Sequence, residues 1–156
     1  MTTDHILPDP DSAFGANVRE RLRTEQVIWL TTVGATGTPQ PNPVWFLWQP
    51  DEGDAWGDGS FLIYNDDRAS RLETFLRRPR VSLNFDADAA GDSVAVFTGS
   101  VEVLADHPLA HEIPAYVEKY TAGVARLTGG EQTVEQFMAR YSVVTRVRPT
   151  RLRGWL

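Results

Sequence analysis

Six stretches of this chain are rich in β-branched and aromatic residues, and most are joined by connections too short for a parallel crossover. They are VIWLTTV (27–33), QPNPVWFLWQ (40–49), SFLIYN (60–65), RVSLNFD (80–86), SVAVFTGSVEVLA (93–105) and a last run carrying Val143, Val144 and Val147. Parallel neighbours need a dozen or more connecting residues, whereas GATGTP and DAAGD are turns, so consecutive runs should pair antiparallel. A few helices fall between them. Ser12 can cap one in which Phe14, Val18 and Leu22 share a face, and Thr133 with Gln136 has the spacing of a capping box opening another through Tyr141. A helical region from Asp106 should break at Pro114 and resume. The pattern is α+β, mainly β, and argues for a small antiparallel barrel packed by helices. At 156 residues it is one domain. Residues 1–11, MTTDHILPDP and Asp11, lack periodicity and read as a flexible arm before a single domain over 12–156.

Within the second run, Asn42, Val44, Phe46 and Trp48 alternate with Pro41, Pro43, Trp45 and Leu47. Prolines cannot donate to a central ladder, so the first half of this run belongs at an edge or a bulge, with backbone groups free to meet a ligand. Gly99 marks a bend or bulge in the long fifth run.

Several functions are excluded early. The balance of 15 Lys+Arg against 21 Asp+Glu, a formal charge of −6, is wrong for a general nucleic-acid binder, whose surface must neutralise phosphate. No apolar run approaches a membrane span and no basic-then-apolar leader opens the sequence, so a cytoplasmic location is the expectation. Without cysteine there is no disulfide, thiolate metal site or cysteine nucleophile. No G-x-S-x-G elbow and no Walker or Rossmann glycine loop is present. His107 and His111 have the i, i+4 spacing of a helical metal pair, but a third ligand is wanting and prolines flank them; surface histidines explain them better. Asp51, Glu52, Asp54 and Asp58 do not follow the calcium-loop pattern and read as a solvated loop.

One corner invites a ligand. In YNDDRASR (64–71) a strand should give way to a helix, where outward N–H groups and the macrodipole favour an anion and Arg68 and Arg71 add two permanent cations. The alternative is a solvated arginine-rich face that continues through Arg77, Arg78 and Arg80. Of the five tryptophans, most should be core or interface, while Trp45, just past the proline-interrupted edge, is placed to flank a planar heteroaromatic ring.

PNPVWF (41–46), YNDDRASR (64–71) and RRPRVSLNF (77–85), in that order and spacing, resemble the split β-barrel family of flavin and deazaflavin proteins. This is the family of the pyridoxamine 5′-phosphate oxidase-like proteins, and the resemblance is to its actinobacterial F420-dependent reductase branch, from about residue 14 to Trp155. It implies a six-stranded antiparallel split barrel and a cofactor phosphate held at the end of the third strand and the start of the next helix. The matching positions are Tyr64, Asn65, Arg68, Ser70 and Arg71, with Arg71 eight residues before Pro79. Asn65 stands where a hydroxyl is usual and Arg71 where lysine is common, and Arg68 is one position off. The PNPVWF segment implies ring contacts from Asn42, Pro43, Val44 and Trp45. The resemblance also implies a homodimer with two cofactor sites at the subunit interface, the C-terminal strand and the helix of Tyr116, Lys119 and Tyr120 approaching from the partner.

The activity so implied is hydride transfer between coenzyme F420 and a small organic substrate, with no assigned catalytic side chain and no metal. A cofactor that supplies the chemistry agrees with the lack of a triad or carboxylate dyad. FMN-dependent oxidase or reductase chemistry on the same barrel is the alternative, and a non-catalytic flavin or deazaflavin carrier is another.

Overall fold

The computed structural model describes residues 4–156. Helix α1 (Ala13–Thr24) leads into β1 (Val27–Val33), β2 (Pro39–Trp45), β3 (Leu47–Pro50) and β4 (Gly59–Asn65). Helix α2 (Arg71–Arg77), β5 (Arg80–Asn84) and β6 (Val94–Leu104) follow, then a single 3₁₀ turn, α3 (Pro114–Thr128), α4 (Val134–Met138) and β7 (Val143–Trp155). All strand pairs are antiparallel, in the order β2-β1-β5-β6-β7-β4-β3, and the sheet curls into a half barrel with four helices. The α+β split-barrel reading holds.

The strand count differs from the expected six. The second run is two strands, not one, because pairing stops at Phe46: β2 pairs with β1, whereas β3 pairs with β4. These are the two opposite edges of the sheet. One residue therefore joins both edges, and the sheet must curl for that to be possible. Tyr120 stabilises this corner from α3. Its hydroxyl accepts the Phe46 N–H at 2.8 Å and lies 2.7 Å from the carbonyls of both Phe46 and Gln26, either of which can take its proton. The Lys119 ammonium donates to the Phe46 carbonyl at 3.1 Å and sits 3.7 Å from the centre of the Phe46 ring. Backbone groups that lost their ladder partners are thus satisfied by side chains.

The alternation along 41–47 survives the corner. Val44 and Phe46 enter the inner core with Ile28, Leu30, Phe61 and Leu83, while Leu47 joins a second cluster with Leu62, Tyr64, Tyr116 and Tyr120, and Trp45 packs against it. That second cluster lies under α3 and α4. The proline-bearing half of the run, β2, is an edge strand as expected.

Other local readings hold in detail. Ser12 Oγ accepts the Gly15 N–H and Val18 and Leu22 are buried beneath α1. Thr133 and Gln136 form a reciprocal capping box, although α4 stops at Met138 and does not reach Tyr141. The β6–β7 register shifts between Thr98 and Gly99, and a Cβ at Gly99 would lie 2.2 Å from the Arg148 carbonyl oxygen, so only glycine fits that bulge.

Of the segment expected to be a flexible arm, residues 1–3 lie outside the described residues and residues 5–8 are docked on the domain. Leu7 is 1% exposed within the main core. Asp58 holds it there, one carboxylate oxygen accepting the Leu7 N–H at 2.8 Å and the other the Ile6 N–H at 3.0 Å. His5 stacks on Trp56 with ring centres 4.2 Å apart and bonds Asp58 through Nδ1 at 3.2 Å.

Candidate functional site

Between β2 and β4, roofed by α3 and α4, lies a pocket of about 270 Å³. Pro43, Val44 and Trp45 line one side and Tyr64 and Arg71 the other, with Tyr116, Phe137, Met138, Tyr141 and Leu127 completing it. The PNPVWF and YNDDRASR segments thus meet at one cavity. Its lining holds one cation and no carboxylate.

Arg71 is the first residue of α2. Its Nε donates to the Asn65 carboxamide oxygen at 2.9 Å, and no carboxylate among the described residues pairs with it. Burial lowers its pKa from the ordinary arginine value, against the opposing pull of Tyr141 and Asp66. An arginine stays charged under these conditions, so a partly dehydrated cation faces the cavity with its terminal nitrogens uncommitted.

Asn65 has no exposed surface. Its Nδ2 donates to Thr145 Oγ1 at 3.0 Å and to the Val143 and Ile63 carbonyls, so its oxygen can point only toward Arg71. Asn65 is therefore a positioning residue and does not line the cavity. Arg68 is exposed in the preceding turn, its backbone N–H bound to Asp66. Ser70 is exposed, sits in helical backbone and makes no cap. Since α2 has only seven residues, the corner's affinity for an anion rests on Arg71 more than on a helix terminus. Asn42 stands farther out on β2, its amide toward the Gln40 carbonyl at 3.4 Å. Arg77, Arg78 and Arg80 are exposed, Arg77 paired with Glu73 at 3.3 Å.

Trp45 lies parallel to Tyr120, ring centres 4.4 Å apart, and to Phe137 at 5.6 Å. Tyr116 packs edge-on against Tyr64 at 5.1 Å. These helical aromatics belong to the same chain as the strands they cover, so α3 reaches the pocket without a partner. Burial pushes the phenols of Tyr64, Tyr116 and Tyr120 well above the usual tyrosine range, with Glu112 adding to the effect at Tyr64. They remain neutral hydroxyls, and those of Tyr64 and Tyr116 are directed to the Pro108 carbonyl and the Met138 sulfur. Phe137 and Met138 lie on a helix too short to show a period and Tyr141 lies beyond its end, so no signal in the sequence marks these three.

The pyridoxamine 5′-phosphate oxidase family model matches residues 14–156. The chain belongs to this family. A structure described as an F420 reductase aligns with a TM-score of 0.59 at 20% identity, over 86% of this chain and 94% of that one. An FAD-binding protein from Mesorhizobium loti aligns at 0.57 and 17% identity, over 90% and 91%. The heme storage protein of Vibrio cholerae aligns at 0.55 and 15%, over 89% and 92%. Among curated proteins the sequence finds no match. At these identities the neighbours establish the oxidase-family barrel and leave the ligand open.

Two other clusters of titratable side chains lie outside the pocket. His111 pairs with Glu135 at 3.5 Å, and His107 bonds the neighbouring Pro108 carbonyl. His5, Asp54 and Asp58 converge closely enough to surround an ion, but their carboxylates already accept the N–H groups of Ile6, Leu7, Trp56 and Asp58 itself. That network is a clamp on the N-terminal segment. Among the described residues no helix is long and apolar enough to cross a membrane.

Proposed function

We propose that the Trp45–Arg71 pocket binds the phosphate-bearing end and ring of a flavin-type cofactor, and that the protein is an F420-dependent oxidoreductase acting on a small organic substrate. The observation that carries this reading is Arg71: a half-buried cation without a carboxylate partner among the described residues, aimed by Asn65 into an aromatic cavity. A phosphate would complete it. Trp45 and Tyr64 offer flat surface for a tricyclic ring, and edge strand β2 keeps backbone groups free beside it. When bound, a reduced deazaflavin supplies the hydride. The chain's own work is to bind, orient and exclude water. Neutral tyrosines and apolar side chains keep the pocket dry, and the absence of a carboxylate from its lining avoids repulsion of an anionic ligand.

A volume near 270 Å³ is small beside the roughly 300–1,000 Å³ of ordinary ligand sites. One chain encloses only part of such a cofactor, which favours a homodimer in which the second chain covers the rest.

Titrating the purified protein with F420 and FMN side by side tests the reading. The deazaflavin should bind more tightly, and the protein should purify colourless; co-purifying yellow FMN would favour the FMN-dependent alternative. Tight binding of reduced F420 with no oxidation by enones, quinones or tetrapyrroles would favour a carrier. Charge-assisted hydrogen bonds of about 1.5–3 kcal/mol mean that Arg71→Ala should weaken binding by roughly tenfold to a hundredfold. Arg77→Ala should bind as the parent does. Equal losses in the two variants would sink the phosphate assignment.

A further inference from the structure

On the other side of the Phe46 corner lies a larger cleft, of about 740 Å³, that shares no lining residue with the Trp45 pocket. It is bounded by α1, edge strand β3 and the first turns of α3. Leu22, Leu47, Trp48 and Pro50 supply apolar surface, and Arg19, Arg23 and Lys119 supply positive charge.

The three cations are not equivalent. Arg19 spends four of its five donors on the carbonyls of Trp56, Pro8 and Gly15. Arg23 is exposed and grips Glu20 with both carboxylate oxygens at 2.8 Å. Lys119 has one placed donor, to the Phe46 carbonyl, and no carboxylate within 4 Å among the described residues. An ammonium carries three donors, so two remain. Burial pushes its pKa down to about 8, partly offset by Glu25, which marks a charge short of both water and a counter-ion. It is also the only lysine in a chain with fourteen arginines. Glu118 also lines the cleft but is exposed, where its repulsion of an anion is screened.

The cleft is built in advance of any ligand. Its loop side is fixed by Arg19 on the Trp56 carbonyl, by the Asp58 clamp and by the Trp48 indole N–H on the Gly57 carbonyl at 3.2 Å. Little ordering would be needed on binding.

We propose that this cleft is a second ligand site, for an amphipathic organic monoanion whose carboxylate pairs with Lys119 and whose aromatic or branched aliphatic body packs on Trp48 and Leu47. A compact ammonium beside apolar walls selects such a molecule over a phosphate ester, which arginine forks suit better.

The probe is 2-naphthoate, with neutral 2-naphthamide as its uncharged counterpart, followed by tryptophan fluorescence. Naphthoate should bind at least tenfold more tightly than naphthamide, Lys119→Met should remove that preference, and Arg71→Ala should leave it unchanged. A preference that survives in Lys119→Met, or that vanishes in Arg71→Ala, overturns the proposal; the second outcome would put naphthoate in the Trp45 pocket. Should the lysine variant fail to fold, the parent protein still decides. Naphthoate should slow trinitrobenzenesulfonate modification of the Lys119 peptide, whereas an unchanged rate at saturating naphthoate is incompatible with the site.

Discussion

Asn65 acts on the pocket at one remove, holding Arg71 without lining the cavity itself. The strand-end position and the adjacent arginines are legible in YNDDRASR, and so is a polar side chain there. What the string cannot convey is that the carboxamide is wholly buried and spends its donors on β7, since Thr145 and Val143 lie about eighty residues away. Arg71 was legible as the cation eight before Pro79, while its separation from Arg68 comes from the turn that leaves Arg68 in solvent. Two substitutions separate position from charge. Asn65→Ala leaves the Arg71 Nε without its acceptor and the Val143 carbonyl without its side-chain donor, which should cost about 1–3 kcal/mol in denaturant unfolding and loosen cofactor binding together. Asn65→Asp keeps an acceptor for Arg71 but neutralises it, weakening phosphate binding, and turns a buried carboxylate oxygen on the Val143 and Ile63 carbonyls that the amide served, so its loss of stability should be the larger. Undiminished cofactor affinity in the aspartate variant would show that Arg71 does not carry the phosphate.

At the scale of elements, the informative failure is the break at Phe46. The alternation of 41–49 is the same on either side of it, because the two faces keep their identities while the hydrogen-bonding partner changes from β1 to β4. Side-chain period reports burial and says nothing about which strand is the neighbour. Helix α3 supplies what the ladder no longer can. Tyr120→Phe keeps the stacking on Trp45 but orphans the Phe46 N–H, so unfolding should become easier by about 1–3 kcal/mol with the Trp45 emission little changed. An unaltered midpoint would mean that the corner is held by its backbone geometry alone. By contrast, the α1 cap and the α4 capping box were readable because each rests on residues adjacent in sequence, and the β6 bulge was readable because a lone glycine stands at it, although the close approach there is to Arg148.

For the whole molecule, the N-terminal segment shows the same division between local and distant causes. One leucine ahead of two prolines carries no period, yet it fills the core because Asp58, fifty-one positions on, receives its backbone. Asp58→Ala should free Ile6 and Leu7 and lower the melting temperature by several degrees, at about 2–4 °C per kcal/mol for a chain of this size. Unchanged melting would leave the clamp without energetic weight. The joined sheet edges have a consequence of another kind. Because β2 walls the Trp45 pocket and β3 walls the larger cleft, and only Phe46 separates the two strands, the two cavities share one backbone link, and a displacement of that residue would be felt in both.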